Sequence, residues 1–540
     1  MENKNTIIAI VLMLAVWVGF SIFFPQAPVT PSPSKSESGS GSLEGPGKNS
    51  LSSSAGVSVP VEEVSPRKLP STPLVEERDI VVETDLFTAV LSNVGGRLKS
   101  FTLKHFHSTT DPKSPLVSLV GNLPVRQGSL RTSGIDGLVL FREAVYQCES
   151  PPEVKLGEND STKIVFISYG GSGNRVEKTF TFYRKSYVFD LSVKIVNQGE
   201  TSINGGFTVT LVHPWDASKG GDRFDHVGPI SLVGEKLHSE KVDDLATSPS
   251  VYGKDTIWSG FEDKYFLGAA IPLEGAAEKI RIDRVGDYIE NSMESPVFSL
   301  QPGTSRTFNY QLYFGPRDLD ILKAADHQLS KAIDFGFFSL LAIPLLHILK
   351  FFYSFVGNFG VAIIVLTVII KLLFWPLTQK SYSSMKAMQR LQPEMAKIRE
   401  KFKNDRERLN REMMGLYKEH RVNPLGGCLP MVVQIPVFFA LYKVLLNSIE
   451  LRHAPFALWL TDLSTKDPYY ITPLVMGATM FIQQKMTPST MDLTQAKIFM
   501  FMPIIFTFLF LNFPSGLVIY WLVNNLLTIL QQYFINRKPA

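Results

Sequence analysis

The sequence has little of the chemistry on which enzymes and metalloproteins depend. Its 540 residues include two cysteines, Cys148 and Cys428, which fall in different predicted compartments and have no metal-ligand spacing. We therefore expect neither a disulfide nor a metal site and interpret both as packing residues. Its long apolar segments also lack a Walker loop, a nucleophile elbow, a His/Glu metal pair and paired carboxylates. These absences predict a protein with no catalytic residues and no cofactor.

Acidic residues are scarce where the chain is most apolar. The composition is 45% hydrophobic with a formal charge of +4, and the apolar residues cluster in segments near the roughly 20 residues that cross a bilayer core. These segments occupy positions 7–24, 359–378, 429–446, 471–486 and 498–535. They hold almost no acidic residue, which argues against a proton-coupled pump. Nor do they form an inverted repeat with broken helices, the usual sign of a secondary transporter.

The apolar segments predict six membrane spans. The last is too long for one span and is interrupted by the turn signal NFPSG at 512–516, which divides it into spans at 498–512 and 516–535. The first lies within residues 1–24, lacks an A-x-A-like cleavage site and is long for a signal peptide. We interpret it as a retained N-terminal anchor, with a cleaved signal peptide as the alternative.

Between the first two spans, the composition changes twice. Residues 25–75 are rich in Ser, Pro and Gly and predict a flexible linker without a core. Residues 76–325 contain period-two segments of β-branched and aromatic residues, including 163–170, 178–199 and 306–316. Strands of this kind, separated by Gly, Asn and Pro, predict a large all-β sandwich.

The charge of one loop decides the topology. Residues 380–421 carry twelve Lys/Arg against six Asp/Glu, an excess typical of a cytoplasmic loop. With six spans and a cytoplasmic N-terminus, the sandwich is then periplasmic and the C-terminus cytoplasmic. The apolar segment 334–357 would disturb this arrangement as a seventh span, so we predict an interfacial amphipathic helix there.

The basic loop is itself predicted to be helical. Apolar residues recur at three- and four-residue steps from Met385 to Phe402 and again from Leu409 to Tyr417, which predicts a cytoplasmic helical hairpin over 379–425. Its methionine-rich stripe has two interpretations. The stripe holds the two helices together, or part of it is exposed and binds varied apolar partners.

Polar side chains follow one face of several spans. Thr367 and Lys371 are one helical turn apart, and the last span carries a stripe of four polar residues at steps of four, four and three: Tyr520, Asn524, Thr528 and Gln531. Such groups serve either as interhelical hydrogen-bond partners, with Lys371 extending to the interface, or as the lining of a water-filled cavity open to the cytoplasm.

Three stretches of the sequence carry a family resemblance. RVNPLGGCLPMVVQIPVFFALYKVL at 421–445, LRHAPFALWLTDLSTKDPYYITPLVMGATM at 451–480 and FMPIIFTFLFLNFPSGLVIYWLVNNLLTILQQ at 501–532 resemble the YidC/Oxa/Alb family of membrane protein insertases, in its Gram-negative six-span form. The resemblance implies a multi-domain membrane protein with an α-helical core of five spans, an anchor helix, a periplasmic all-β supersandwich and a cytoplasmic hairpin.

The resemblance also implies a mechanism and a set of residues. In this family, a hydrophilic groove open to the cytoplasm and to lipid draws in the polar flank of an apolar segment, which then moves into the bilayer. The groove cation is typically arginine, and the matching position is Lys371. The candidate groove residues are Lys371, Thr367, Gln434, Gln483, Gln484, Tyr520, Trp521, Asn524 and Thr528.

Partners and location follow from the same resemblance. It implies a multi-pass protein of the inner membrane whose substrates are nascent integral membrane proteins, acting alone or with the Sec translocon in contact with the lipid bilayer. Residues 380–420 would contact the ribosome or targeting factors, while the ending INRKPA lacks the long basic tail through which some members bind ribosomes. No specific nucleic acid is expected.

Two other classes of function stay open on the sequence alone. The first is a channel or transporter for polar solutes, which would need polar residues at both ends of the spans. The second is a membrane-anchored periplasmic enzyme acting on carbohydrate, for which His105, His107, His213 and Asp216 are the candidate group in the sandwich. Ordinary surface or core histidines are the simpler interpretation of this group.

Overall fold

The computed structural model describes residues 77–121, 128–157, 160–170, 173–216, 226–420, 422, 429–487 and 493–537. The predicted anchor at 1–24, the predicted linker at 25–75 and Cys428 lie outside the described residues.

The first part of the described chain is built from strands. In chain order they are β1 Asp79–Glu83, β2 Phe87–Ser92, β3 Arg97–His107, β4 Leu116–Val120, β5 Arg131–Ile135, β6 Glu153–Lys155, β7 Ser161–Tyr169, β8 Asn174–Tyr183, β9 Val188–Asn197, β10 Ile203–Pro214, β11 Gly228–Val233, β12 Lys236–Ser239, β13 Ser250–Tyr252, β14 Thr256–Glu262, β15 Phe266–Pro272, β16 Lys279–Val285, β17 Tyr288–Glu294, β18 Phe298–Leu300 and β19 Ser305–Pro316. A short helix, α1 Val242–Leu245, follows β12. The strands predicted within 163–170, 178–199 and 306–316 are confirmed as β7, β8 with β9, and β19.

These strands form three sheets. The largest has the order β12-β11-β14-β15-β19-β9-β8-β7, a second has β4-β3-β2-β1-β6, and a third has β13-β16-β17-β10-β18 with β5 also paired to β10. Pairing is antiparallel except between β1 and β6. In β8 and β9, buried and half-buried residues alternate along the strand, because successive side chains of a strand point to opposite faces of the sheet.

Aromatic rings fill the space between the sheets. Phe101 of β3 packs on Phe87 of β2 with ring centroids 4.3 Å apart and on Phe189 of β9 at 5.7 Å. Phe314 of β19 contacts both Phe101 and Phe189. These rings are almost wholly buried, so they join the small sheet to the large one and establish the all-β sandwich that the sequence predicts.

The second part of the described chain is helical. Its helices are α2 Leu319–Ala324, α3 Ser339–Val356, α4 Phe359–Leu373, α5 Trp375–Arg390, α6 Gln392–Lys401, α7 Arg406–Glu419, α8 Leu429–Asn447, α9 Ile471–Met486, α10 Leu493–Phe510 and α11 Ser515–Arg537. Short 3-10 turns lie at Leu329–Ala332, Gly336–Phe338 and Ile449–Leu451.

Two predicted helices are each divided by a proline. The sequence predicts one helix over 359–378, but α4 ends at Leu373 and α5 departs from it at 59°. The first helix of the hairpin, predicted to continue to Phe402, is likewise broken at Leu391 before α6. Pro376 and Pro393 stand in the first turns of α5 and α6. Proline fits a first helical turn but cannot continue a helix, because it has no N–H and its ring clashes with the preceding turn.

The methionine stripe packs within the hairpin. Met388, Leu391 and Met395 are buried against Leu416 of α7. Asp405 caps the start of α7, its carboxylate accepting a hydrogen bond from the Arg408 backbone N–H at 3.0 Å. Ile398, Met413 and Tyr417 pack half-buried against this cluster, so packing between helices accounts for most of the stripe.

The corner between α3 and α4 depends on two small residues. Gly357 has a φ of +63° and closes α3 with a backbone hydrogen bond to Tyr353, a conformation that glycine adopts without a steric penalty. Asn358 then caps α4 by accepting a hydrogen bond from the Val361 N–H at 3.1 Å. Its amide also donates to the Phe456 carbonyl at 3.0 Å, so the corner is anchored to the α8–α9 connection.

Polar contacts join elements within the helical part and join the helical part to the sandwich. Lys350 of α3 lies 2.7 Å from carboxylate oxygens of both Asp320 and Glu450 and 3.1 Å from Asp318. Arg452 of the α8–α9 connection donates to the His107 carbonyl at 2.5 Å.

Length and composition identify candidate membrane spans among the described helices. Gly336–Val356 and Ser515–Ile535 are long and apolar enough to cross a bilayer, and the bent pair of α4 and α5 is a third candidate. Val432–Asn447 and Met500–Phe510 are shorter apolar helices.

Candidate functional site

Lys371 lies two residues before the end of α4 and points toward α11. Its side chain is 7% exposed, and its Nζ donates a hydrogen bond to Thr528 Oγ1 at 2.7 Å. In the part of the chain that the structure describes, no carboxylate lies within ion-pair distance of this ammonium. A nearly buried cation therefore meets a hydroxyl group rather than a counter-ion, an expensive arrangement in an apolar setting.

The polar stripe of α11 connects three other helices. The Thr528 hydroxyl that accepts from Lys371 donates in turn to the Asn524 carbonyl at 2.7 Å. The Asn524 side-chain oxygen accepts from Gln434 of α8 at 3.1 Å. On the neighbouring face, the Asn525 amide is 3.5 Å from Thr479 Oγ1 of α9. The stripe thus contacts α4 and α8, and Asn525 beside it contacts α9, the inward orientation expected of polar groups in spans.

The first turns of α11 are aromatic and apolar instead. Tyr520 is 2% exposed and stacks on Phe438 of α8 with centroids 6.5 Å apart. Trp521 meets Phe438 edge-on at 4.8 Å and packs on Phe510 at 5.2 Å. Close to the start of α11, Gly516 bonds to the Leu463 carbonyl of the α8–α9 connection. The polar part of the stripe is therefore separated from this connection by packed rings.

Three predicted site residues are not joined to Lys371. The Thr367 hydroxyl is buried but donates to the Ile363 carbonyl of its own helix at 2.6 Å. Gln483 and Gln484 of α9 are half-buried, and the hydrogen bond of Lys371 goes to Thr528 of α11 instead. The structure thus brings together Lys371, Thr528, Asn524 and Gln434, with Tyr520 and Trp521 at one end.

A second polar cluster, outside the candidate site residues predicted from the sequence, lies near the end of α11. Gln532 donates to the Tyr382 hydroxyl of α5 at 2.5 Å and to Thr487 Oγ1 at 2.9 Å. Gln531 donates to the Trp375 carbonyl at 3.3 Å. The pair of glutamines continues the helical period beyond Thr528, a signal that the stripe already contained.

The exterior of the helices has the opposite character. Leu373 of α4, Ile505 and Phe508 of α10 and Leu530 of α11 are strongly exposed. An apolar surface around a polar interior is the reverse of a water-soluble bundle and is typical of helices that face lipid.

The histidines of the candidate enzyme site do not all line the cavity of the sandwich. His213 lines a small cavity with Glu262 and Asp263, whereas His105 and His107 are not among its lining residues. Desolvation lowers the pKa of His213 to about 4, and burial raises the pKa of Glu262 to about 7 against the opposing effect of Arg317. Among the residues that the structure describes, no group of three or more His, Cys, Asp or Glu side chains is suited to hold a metal.

These features define an α-helical membrane protein with a large all-β domain outside the bilayer. Residues 79–348 match the family model described as the YidC periplasmic domain, and residues 351–540 match the one described as 60Kd inner membrane protein. Two relatives named membrane protein insertase YidC, from Geotalea uraniireducens (strain Rf4) and Geotalea daltonii, are 47% and 45% identical over 99% and 100% of both chains. The chain belongs to the YidC family of membrane protein insertases.

A solved structure is also similar to this chain. It is described as an active YidC insertase crystal structure with the first transmembrane domain resolved, and it is 18% identical, covers 85% of this chain and 93% of its own, and has a TM-score of 0.36. Of the functions left open by the sequence, the names of the relatives favour the insertase over the channel and the carbohydrate enzyme.

Proposed function

We propose that this protein inserts integral membrane proteins into the inner membrane through a polar path formed by Lys371 and the stripe of α11. The observation that carries the proposal is the ammonium of Lys371, which is hydrogen-bonded to Thr528 and lacks a carboxylate partner among the described residues. A cation held in this way attracts the acidic or polar flank of an entering chain, because such a flank supplies the missing negative or accepting group.

The aromatic end of α11 limits how far the polar flank travels. Tyr520 and Trp521 pack against Phe438 and Phe510, which leaves no hydrogen-bonding side chain among these rings except the Tyr520 hydroxyl and the Trp521 indole. Asn524 is the next polar residue along the helix. The polar end of an incoming segment therefore stays beside Lys371. The apolar middle of the segment has no favourable binding site along the polar stripe.

Release into lipid then follows from the hydrophobic effect. Burying a leucine-sized side chain contributes roughly 1.5–3 kcal/mol, whereas a neutral hydrogen bond contributes only about 1 kcal/mol net. A segment with several such side chains therefore gains more by leaving the polar path than it loses in contacts with Thr528 or Asn524. No covalent step is required, so we propose a non-enzymatic mechanism without a metal or cofactor.

The remaining parts of the proposal concern topology and partners. We place the C-terminus and the basic hairpin at 379–425, which comprises most of α5 with α6 and α7, in the cytoplasm, where the hairpin contacts ribosomes or targeting factors, and α3 on the periplasmic membrane surface. The substrates are nascent integral membrane proteins, with or without the Sec translocon. The excess of Lys and Arg over residues 380–421 supports this orientation.

Site-specific crosslinking tests the path directly. Photoreactive residues replacing Thr367 and Trp521 should capture the apolar segment of a stalled membrane-protein client, and one replacing the lipid-exposed Phe508 serves as the matched control. Capture of lipid alone at both test positions, with an active protein and a client-dependent signal elsewhere, contradicts the proposed path.

A further inference from the structure

Two consecutive glutamines at the end of α11 are buried in an unusual way. Gln531 is 0% and Gln532 2% exposed, yet the side-chain oxygen of each has no hydrogen-bond partner among the described residues. A buried acceptor without a partner carries a desolvation penalty, so such groups are rare and call for a physical reason.

The amide nitrogens of the same glutamines tie three elements together. Gln532 joins α11 to the hydroxyl of Tyr382 on α5 and to Thr487 just after α9. Gln531 reaches the carbonyl of Trp375, the first residue of α5 after the 59° bend. The position of α5 beside α11 therefore depends on hydrogen bonds from these two side chains.

The face of α5 that carries Tyr382 is polar rather than apolar. Thr378, one helical turn before Tyr382, and Ser381, the residue just before it, are both buried. Groups of this kind exchange a protein partner for water at little net cost, whereas separating an apolar interface would expose hydrocarbon. This interface is thus suited to repeated opening in a way that the aromatic end of α11 is not.

We infer that Gln531 and Gln532 are positioning residues that hold α5 closed across the end of the polar path and that this closure opens to admit a client. The inference rests on the proposed insertase function. Gln531 lies three residues, about one helical turn, beyond Thr528, so the closure stands next to the Lys371–Thr528 contact. Opening breaks the hydrogen bonds of the amide nitrogens, but it lets water reach both nitrogens and both unpartnered oxygens.

The same geometry connects the closure to the hairpin. After the break at Leu391, α5 is followed by α6 and α7, so a partner that displaces the hairpin pulls on the helix that Gln532 holds. A gain of hydration at the two amide oxygens compensates for the lost contacts, and the closed and open states are therefore close in free energy. Binding at the hairpin is then coupled to access at Lys371.

A reversible lock tests whether α5 must move. Cysteines replacing Tyr382 and Gln532 in a full-length chain without Cys148 and Cys428 are joined by a short, reducible bis-maleimide. We expect the linked protein to lose about tenfold in client insertion and to recover when the linker is reduced. The single-cysteine variants, treated in the same way, control for the reagent. Unchanged insertion by the linked protein overturns the inference.

A labelling experiment tests the glutamine itself. A cysteine replacing Asn524 reports access to the path, and Gln532→Leu should raise its rate of maleimide labelling about fivefold, the change expected for one ordinary hydrogen bond. Tyr382→Phe should raise it less and should add nothing to Gln532→Leu. The control Gln389→Leu makes the same chemical change on the exposed side of α5 and should leave the rate unchanged. Equal rates in all variants, or strictly additive effects, overturn the inference.

Different results would overturn the closure and the proposed function. If the Trp521 crosslinker captures clients while the locked protein inserts them normally, the closure is wrong and the proposed function stands. If the unlocked protein captures no client at Trp521, the proposed function is wrong whatever the labelling rates are.

Discussion

Lys371 is the side chain on which the proposed function depends. Its ammonium is held at 2.7 Å from Thr528, and it meets no carboxylate in the described chain. Lysine presents a compact charge without the planar fork of arginine, so it attracts an acidic flank without holding it in a bidentate geometry. A test of the proposed mechanism should therefore change the charge at residue 371 rather than its hydrogen-bond pattern.

We expect Lys371→Ala to reduce insertion of clients with acidic or polar flanks about tenfold, while Lys371→Arg retains most of it. Alanine removes the attraction of roughly 1–2 kcal/mol that a partly screened cation supplies. Insertion of several clients into vesicles, measured by protease protection, provides the comparison. If all three proteins insert every client equally well, charge has no part in the mechanism.

A second lysine lies in the sandwich and has a different consequence. Lys178 is fully buried, and its Nζ donates to the carbonyls of Leu130 at 2.7 Å and Gly95 at 3.2 Å. Desolvation, followed by the nearby charge of Arg97, lowers its pKa to about 7. Since the unfolded lysine titrates near 10.5, the unfolded state binds more protons between these two pH values.

Lys178 should therefore make the sandwich more stable as the pH rises from about 7 to 10.5, with a slope of up to roughly 1.4 kcal/mol per pH unit. Lys178→Met removes this contribution, so the stability difference between variant and parent should change with pH by that slope. Denaturant unfolding of the full chain at pH 7, 8 and 9 measures it. Lys163→Met, at an exposed position of β7, is the control. A pH-independent difference would contradict the lowered pKa.

At the level of helices, close approach depends on small residues. A Cβ atom at Gly477 of α9 would lie 2.0 Å from Thr507 Oγ1 of α10, far inside van der Waals contact. The two helices can pack at this distance only because glycine has no side chain, a feature common between membrane helices. The contact fixes α9, and with it the Thr479 hydroxyl that meets Asn525.

We expect Gly477→Ala to destabilise the helical part by about 1–3 kcal/mol, the usual cost of overpacking. The second substitution Thr507→Ala removes the clashing oxygen and should restore part of the loss. Thermal unfolding in detergent measures both effects. Gly415→Ala on α7, where nothing lies within 4 Å of the new Cβ, should have little effect. Equal melting temperatures for the Gly477 and Gly415 variants would contradict the packing argument.

At the scale of the whole molecule, the periplasmic domain is attached through a few strong contacts. Besides its hydrogen bond to His107, the Arg452 guanidinium lies over the rings of Phe266 at 5.3 Å and Tyr265 at 5.8 Å. Cation–π contacts of this geometry contribute about 0.5–2 kcal/mol each. Arg452 therefore connects β3 and β15 to the α8–α9 connection.

Arg452→Ala should loosen this attachment without unfolding either part. We expect hydrogen exchange in β3 near His107 and at the start of β15 to become about tenfold faster, while exchange in β9 stays unchanged. Arg452→Lys retains a charge but loses the planar stacking, so its effect should be intermediate. Uniform acceleration over the whole sandwich would indicate global destabilisation instead.

The sequence by itself determined which segments form strands, which form helices and which side of a helix is polar. Period-two residues predicted β7, β8, β9 and β19, and steps of three and four placed Asn524 and Thr528 on one side of the last helix. Such periods show which side of an element is buried, because side chains return to the same side once per helical turn or at every second residue of a strand. Pro376 and Pro393 lie at the two breaks, where the apolar pattern alone predicts continuous helices.

The tertiary structure decided which faces meet. Nothing in a helical period states that Lys371 pairs with Thr528, that Gln434 reaches Asn524 or that Thr367 bonds within its own helix. The same is true of Gln532 with Tyr382, and of Arg452 with His107, residues 345 positions apart. These partners are set by how whole helices and sheets pack in space, and the free energy of that packing depends on all of the contacting surfaces together, which no local pattern contains.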